Sequence, residues 1–361
     1  MASIALPPRA AAPPVRSSFG RSLRRFTGTA GLTLLAIGVL SGFLMPVLYM
    51  GLTSLKHEAQ TVDRSAPLYP ATQRTFVYEG QPYPILAVPI DETTRELAIV
   101  RKGREDADFV DPANAAAGVI SWQGRWRTLQ PVYDFDPKFS NFGQVWNEVE
   151  FPKLLRNTVI IAGLGTIGAV GSAIVVAYGF SQFRFRFRGP LFLVMLATIM
   201  LSQQATLVPS YIVFSRIGWT GTWLPLIVPH FFANAYNVFL LRQYFMTIPR
   251  DLDEAAMIDG ASPFRILRSV IVPQAIPAIV AVGLFHFFYA WNEFLLSLVY
   301  LGGTPDLWPL TVGIQQFAAL YVTRVPLVQA SAIMTIAAPV IIFFLAQRAF
   351  MRGVVMTGVE K

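Results

Sequence analysis

The chain alternates between long apolar stretches and one extended region of a different pattern. Six stretches approach the run of about 20 mostly apolar residues that a helix needs to cross a bilayer. They are residues 30–50, 157–180, 190–215, 222–242, 276–300 and 326–346. Residues 57–152 instead carry short runs, "RTFVYEG", "YPILAVPI", "RELAIVRKG" and "GVISWQGRWRTLQ", punctuated by Gly and Pro. That pattern predicts the strands of a small β-rich module, and a structureless loop of this length is disfavoured. Residues 1–29, rich in Pro, Ala, Ser and Arg, predict a disordered tail. The first apolar stretch reads as a retained helix rather than a cleaved leader, because it starts well into the chain and no small-residue cleavage site is evident near Gly51.

The resulting organisation is a tail (1–29), a first transmembrane helix (30–56), an insert (57–152), transmembrane helices two to six (153–347) and a second tail (348–361). No repeat at the period of solenoids or propellers is visible. The expected fold class is an all-α polytopic membrane protein with six spans and a small β-rich insert between the first two.

Composition agrees. Of 361 residues, 54% are hydrophobic and only 14% charged, well short of the charge share of soluble domains. The net charge of +8 does not indicate nucleic acid, because the excess lies at the edges of apolar runs, where topology signals sit. The 57–152 insert is acidic, with nine Lys and Arg against fourteen Asp and Glu. Cysteine is absent, which removes disulfides and thiolate metal sites. His57, His230 and His286 form no ligand motif, and His286, inside an apolar run, is expected to be a hydrogen-bonded helix contact. Trp122 and Trp126 are expected to pack on one strand face.

Arginine placement sets an orientation. Arg9, Arg16, Arg21, Arg24 and Arg25 precede the first span, Arg184, Arg186 and Arg188 follow the second, and Arg348 and Arg352 follow the last. With six spans these lie on one side, the cytoplasm, and so do both termini. The insert then falls outside.

Between the fourth and fifth spans runs "DLDEAAMIDGASPFRILRSVIVP", Asp251–Pro273, within a cytoplasmic loop of 248–273. Pro249 ends or kinks what precedes it. Asp251, Asp253 and Glu254 suit the first turn of a new helix. Gly260 can turn the chain. Ser262 and Pro263 suit the cap and first position of a second helix, with Phe264, Leu267 and Ile271 on one stripe. Ala255 and Ala256 allow another body to approach closely.

Glu254-Ala255-Ala256, three residues, Gly260, nine residues, then "VIVP" resembles the EAA loop of ABC importer permeases. Val270 and Val272 stand where the family pattern has Ile and Leu, with apolar bulk kept. "GLTSLK", "LVPSYIVFSRIGW", "NVFLLRQYF", "AWNEFLLSL" and "QRAFMRGVVMTGVEK" extend the resemblance, over residues 25–57 and 140–361, to the maltose-transporter type of carbohydrate permease. It implies the type I importer permease fold in a bacterial inner membrane. It also implies a second related permease, two cytoplasmic ATPase subunits and an extracytoplasmic sugar-binding protein. The chain itself would bind no cofactor, with ATP and Mg held by the ATPase subunits. Coupling would fall to Glu254, Ala255, Ala256, Asp259, Gly260 and Pro273, with Glu254 making the polar contact and Gly260 the corner. An amphipathic interfacial connection would not require this spacing.

Polar groups inside spans are candidates for a substrate path: Gln203, Asn234, Asn237, Tyr289, Asn292 and Glu293. Bonding between helices is the alternative. No lysine completes a phosphate-binding G-x4-G-K-[ST] motif, so no ATPase or other enzyme activity is expected of the chain. An ion-coupled secondary transporter would show charged midplane residues and repeats, and a membrane-anchored assembly protein or enzyme a cluster of reactive groups near one interface. Neither pattern is visible.

Overall fold

The structure, a computed structural model, describes residues 18–90, 93–318 and 324–356. Residues 1–17 and 357–361, parts of the two expected tails, lie outside it. The chain divides into two units, Met1–Met50 and Gly51–Lys361. Helix α1 spans Ser18–Ser54. It begins inside the stretch expected to be a tail, because Ser18 to Ala30 contains no proline to stop it. Its apolar side chains, Leu34, Leu40 and Phe43 among them, are exposed, as suits a helix surrounded by hydrocarbon.

In the second unit, residues 71–135 form two antiparallel sheets. β1 (Ala71–Gln73) pairs with β8 (Tyr133–Phe135). The larger sheet orders β2 (Thr75–Tyr78), β3 (Gln81–Ile90), β4 (Thr93–Lys102), β5 (Asp106–Val110) and β6 (Val119–Gln123), with β7 (Gln130–Pro131) also on β3. Alternation sorts the side chains. Leu86, Val88, Leu97, Ile99, Ala107 and Phe109 form a buried cluster. Arg101 reaches the other way to Asp108 (2.5 Å) and Asp106 (2.6 Å). Trp122 and Trp126 both pack on the cluster. Trp126, however, sits in a 3₁₀ turn, Trp126–Thr128, beyond Gly124 rather than on the strand. Their indole N–H groups donate to the carbonyls of Pro89 (3.3 Å) and Gly103 (2.9 Å).

The insert's ends are tied together. Buried Asn141, on the helix Ser140–Glu148, donates to the carbonyls of Ser54 (2.7 Å) and Lys56 (3.0 Å). Arg324 spans Glu58 (2.8 Å) and Glu148 (2.7 Å).

The helical part is built around α2 (Phe151–Gln182). It packs against α5 (Ala235–Phe245) and α7 (Ile276–Trp291) through small residues. A Cβ on Gly168 would meet the Phe231 ring at 2.5 Å, and one on Gly165 the His230 ring at 3.1 Å. The glycines therefore let this segment lie against the helix. The polar groups at its start are paired: Asn157 donates to the carbonyls of Asp306 (2.9 Å) and Trp308 (3.0 Å).

Several expected spans are interrupted. α3 (Arg188–Ala197), extended by a 3₁₀ turn to Met200, and α4 (Gln203–Arg216) meet at 96°, which breaks the stretch 190–215. The stretch 222–242 holds the helix Leu224–Ile227, a 3₁₀ turn Val228–Phe231, and then α5. The loop of 248–273 contains α6 (Arg250–Ile258). The run Pro263–Gln274 bends by 81° into α7. The stretch 276–300 is interrupted after Trp291 and resumes as α8 (Leu295–Leu301). Helix α9 spans Val325–Met356, with Pro339 inside. Its continuation past 347 enters the stretch expected to be a tail. Among the described residues, four helical segments are long and apolar enough to cross a membrane, or up to six if each bent pair is one span.

Candidate functional site: a helix corner and two cavities at helix breaks

The corner is built locally. Asp251 and Asp253 occupy the first turn of α6, where acidic groups favour the helix dipole. At the other end the Gly260 N–H donates to Met257 O (3.0 Å) and the Ala261 N–H to Ala256 O (3.0 Å). Gly260 has φ +73°, a conformation that suits glycine and strains other residues. The Ser262 hydroxyl oxygen then accepts from the Arg265 N–H (3.4 Å), with Pro263 next. Glu254, Ala255, Asp259 and Pro273 are exposed, while Ala256 is half-buried and packs on the core.

Two features differ from the sequence expectation. Phe264 is not on the buried stripe but 70% exposed; Ile266, Leu267 and Ile271 are buried instead. The reason is a π-helical turn, Leu267–Ile271, which shifts the phase of the buried face. Asp253 is also not a solvent-facing helix starter: it is buried and its Oδ1 has no partner. Burial pushes its carboxyl above the usual range, against a smaller opposing effect of Arg250. Together with Tyr178, Arg184, Arg250, Glu254 and Met257 it lines a cleft of about 380 Å³. The alternating Arg–Phe connection after α2 was the available signal for Arg184.

The path candidates divide. Gln203 starts α4 and Glu293 lies between α7 and α8, so two helix breaks bring them together. Gln203 Nε2 donates to Glu293 Oε2 (3.0 Å), the Leu296 N–H to Glu293 Oε1 (2.9 Å), and the Tyr289 hydroxyl to Gln203 Oε1 (3.4 Å). These three residues, with His230, Ser210 and Tyr300, line a cavity of about 220 Å³. A second cavity, about 360 Å³, is lined by Asn234, Asn237, His286 and again Tyr289.

Asn237 is buried and shares a hydrogen bond with His286 Nδ1 (3.0 Å), the helix contact expected of that histidine. Asn234 is engaged in capping α5, its side-chain oxygen accepting from the N–H groups of Tyr236 (3.0 Å) and Asn237 (3.2 Å). Asn292 lines neither cavity and donates within its own helix to Phe288 O (2.8 Å).

Sequence reasoning missed His230, Ser210 and Tyr300. The His230 and His286 rings stand edge to face at 4.8 Å, although far apart in sequence. Among the described residues no group of three or more metal-ligating side chains comes together.

Comparisons with known proteins bear on the same region. The family described as "Binding-protein-dependent transport system inner membrane component" matches residues 170–355. The osmoprotective compounds uptake permease protein GgtD of Synechocystis sp. is 32% identical over 240 residues, covering 66% of this chain and 80% of that protein. The sn-glycerol-3-phosphate transport system permease protein UgpE of Pectobacterium atrosepticum is 32% identical over 229 residues, covering 60% and 79%. In structure, the chain is similar to a crystal structure of a bacterial ABC transporter involved in import of the acidic polysaccharide alginate. The TM-score is 0.62 at 21% identity, over 94% of this chain and all of that one, a likeness of fold. A family match over more than half the chain, with broken apolar helices around a Gly-turned corner, places this chain among the inner-membrane components of binding-protein-dependent transport systems, as a permease subunit of an ABC importer.

Proposed function

We propose that this chain forms half of the translocation path for a sugar or related polyol delivered by an extracytoplasmic binding protein. The other half belongs to a second, related permease. Two cytoplasmic ATPase subunits hold ATP and Mg and drive the cycle. In this reading each bent helix pair counts as one span, which gives six, with both termini cytoplasmic and the 57–152 module outside.

The observation that carries the proposal is the corner at Gly260. A short helix with exposed Glu254 and Ala255 and exposed Met257 and Ile258 projects from the helical core. On its far side the chain returns directly into the Pro263–Gln274 run and α7. Such a corner can pass a rigid-body rotation from a docked ATPase to the path. Glu254 supplies the polar contact, Ala255 and Ala256 the close fit, and Asp259 and Pro273 the edges of the docking face. Buried Asp253 lacks a partner for one oxygen, which a basic group of the docked subunit would supply.

The test is co-purification of the ATPase and sugar-stimulated ATP hydrolysis in membranes. Gly260→Val is expected to insert but to lose coupled transport, because a β-branched residue does not readily adopt positive φ. Glu254→Ala is expected to weaken ATPase recovery, the loss of one partner of a desolvated pair costing about 2–5 kcal/mol. Normal recovery and stimulation in both variants would make the corner an ordinary connection and remove the main support of the proposal. For topology, a cysteine placed at Arg186 is expected to react only from the cytoplasmic side; labelling from outside would overturn the orientation.

A further inference from the structure

The two cavities at the helix breaks contain hydrogen-bonding groups and one carboxylate, but no lysine or arginine lines either. Glu293 is fixed in the wall of the smaller cavity by Gln203 and the Leu296 N–H. The other polar groups there are neutral or hydroxylic. Ser210 Oγ and Tyr300 Oη lie 2.8 Å apart, and the Tyr289 hydroxyl reaches Gln203. Tyr289 also lines the second cavity, where buried Asn237 and His286 face each other. With Nδ1 accepting from the Asn237 amide, the His286 Nε2 carries the ring proton and has no acceptor.

A phosphate or uronate entering this space would exchange water for a wall that offers no cation and already holds a carboxylate. Nothing there replaces the lost hydration, and like charges repel. A ligand hydroxyl fits the same wall well. It can donate to a Glu293 oxygen and accept from the Gln203 amide, the Tyr289 hydroxyl or the His286 N–H. Aromatic faces stand beside these groups, with Tyr211 stacked on Tyr300 at 6.2 Å and 9°.

We infer that this chain's half of the path takes uncharged polyhydroxylated ligands and rejects anionic ones, and that Glu293 sets this rule. The inference rests on the importer reading above and narrows it. It separates this chain from the similar permease and the similar transporter whose named cargoes are sn-glycerol 3-phosphate and an acidic polysaccharide.

A binding protein also sorts ligands by charge, so the first experiment omits it. The complex of this chain with its co-encoded permease and ATPase subunits is purified. It is then titrated calorimetrically with matched pairs: maltose and maltobionate, trehalose and trehalose 6-phosphate, glycerol and glycerol 3-phosphate. The neutral member of each bound pair is expected to bind at least about tenfold tighter, an exclusion built by placing charge against the wrong ligand. Glu293→Gln is expected to shrink that ratio to about threefold or less, and Glu293→Asp, which keeps the charge, to preserve it. If Glu293→Gln does not assemble, Thr206→Lys, which adds a cation to the same wall, is expected to bring the anionic member up. Equal or tighter anion binding by the native complex overturns the inference. So does a ratio unchanged in Glu293→Gln or in Thr206→Lys. The binding protein is then restored in proteoliposomes. No ATP-driven uptake of any member would overturn the importer reading together with this one, whereas uptake of anionic members as fast as neutral ones would overturn the charge rule alone.

Discussion

The sheet of residues 71–135 and the bundle around α2 treat polar side chains in opposite ways. In the sheet, the charges point outward and satisfy one another. Arg101 holds Asp106 and Asp108, and Arg74 holds Asp134 (2.5 Å) and Glu96 (2.6 Å), while the inner face is wholly apolar. In the bundle, the polar groups that line cavities lie at or beside places where helices stop. Gln203 begins α4, Glu293 follows the end of α7, and Asn237 sits in the first turn of α5. Breaking a helix within an apolar environment leaves backbone groups that need partners, so irregular backbone is placed where it lines a cavity. The lesson is that surface charge in the sheet serves solubility and register, whereas interior polarity in the bundle marks the path.

The comparison breaks first at the sheet core. Phe109→Ala removes a fully buried ring and is expected to cost about 3–5 kcal/mol. Hydrogen exchange over 71–135 should rise sharply, with protection of α2 and α7 unchanged. Loss of protection in both would show that the two regions are not separate in stability. Next is Gly168→Leu, whose side chain would enter the Phe231 ring; overpacking of this kind costs about 1–3 kcal/mol. The expected signs are a lower thermal midpoint of the detergent-solubilised protein and altered reactivity of a cysteine at 230, with the sheet unaffected.

Asn234→Ala removes two cap hydrogen bonds from α5 and should cost about 0.5–2 kcal/mol. Because Asn234 is engaged in the cap, the variant is expected to lower stability more than it changes ligand preference, and the reverse result would return it to the path. The smallest effect near neutrality is that of pH on the sheet. Donors from Ser65 and Tyr133 lower the Asp63 carboxyl, Arg101 chiefly lowers Asp108, and Arg74 lowers Asp134. Carboxylates depressed in the folded state contribute stability above their unfolded value and lose it as pH falls through the folded one. Protection of 71–135 should therefore be flat from neutral pH to about pH 5 and decline only below about pH 4. A decline beginning near pH 6 would place the control on another group.

Much of this was readable in the chain. Strands β2, β3, β4 and β6 followed from β-branched and aromatic runs between Gly and Pro. β5 was not marked, because "DADFV" opens with acids; its alternation makes sense only once Arg101 is seen across the sheet from Asp106 and Asp108. The corner was readable because glycine at positive φ, a capping serine and proline are each local requirements. The helix breaks were not, since hydropathy continues through them. The polar pairs Gln203–Gln204 and Asn292–Glu293 were the only trace, and whether such a pair ends a helix or faces a neighbour depends on tertiary packing. The pairing of His230 with His286, and of Gln203 with Glu293, depends on how α2, α4, α5 and α7 cross, which no local pattern encodes.

The π turn at Leu267–Ile271 has a consequence for chain length. A π turn holds one residue more than the α turn it replaces, so this part of the molecule behaves as a helix carrying a single-residue insertion. Removing one residue, such as exposed Ser269, would restore ordinary helical winding and keep the segment continuous. It would also turn everything after it by about 100° relative to everything before, and so swing the Gly260 corner around the axis that leads into α7. The spacing between Gly260 and Pro273 that made the segment recognisable is then itself a geometric quantity: it sets the direction in which the corner points, and a shortened loop could fold well and still face the wrong way.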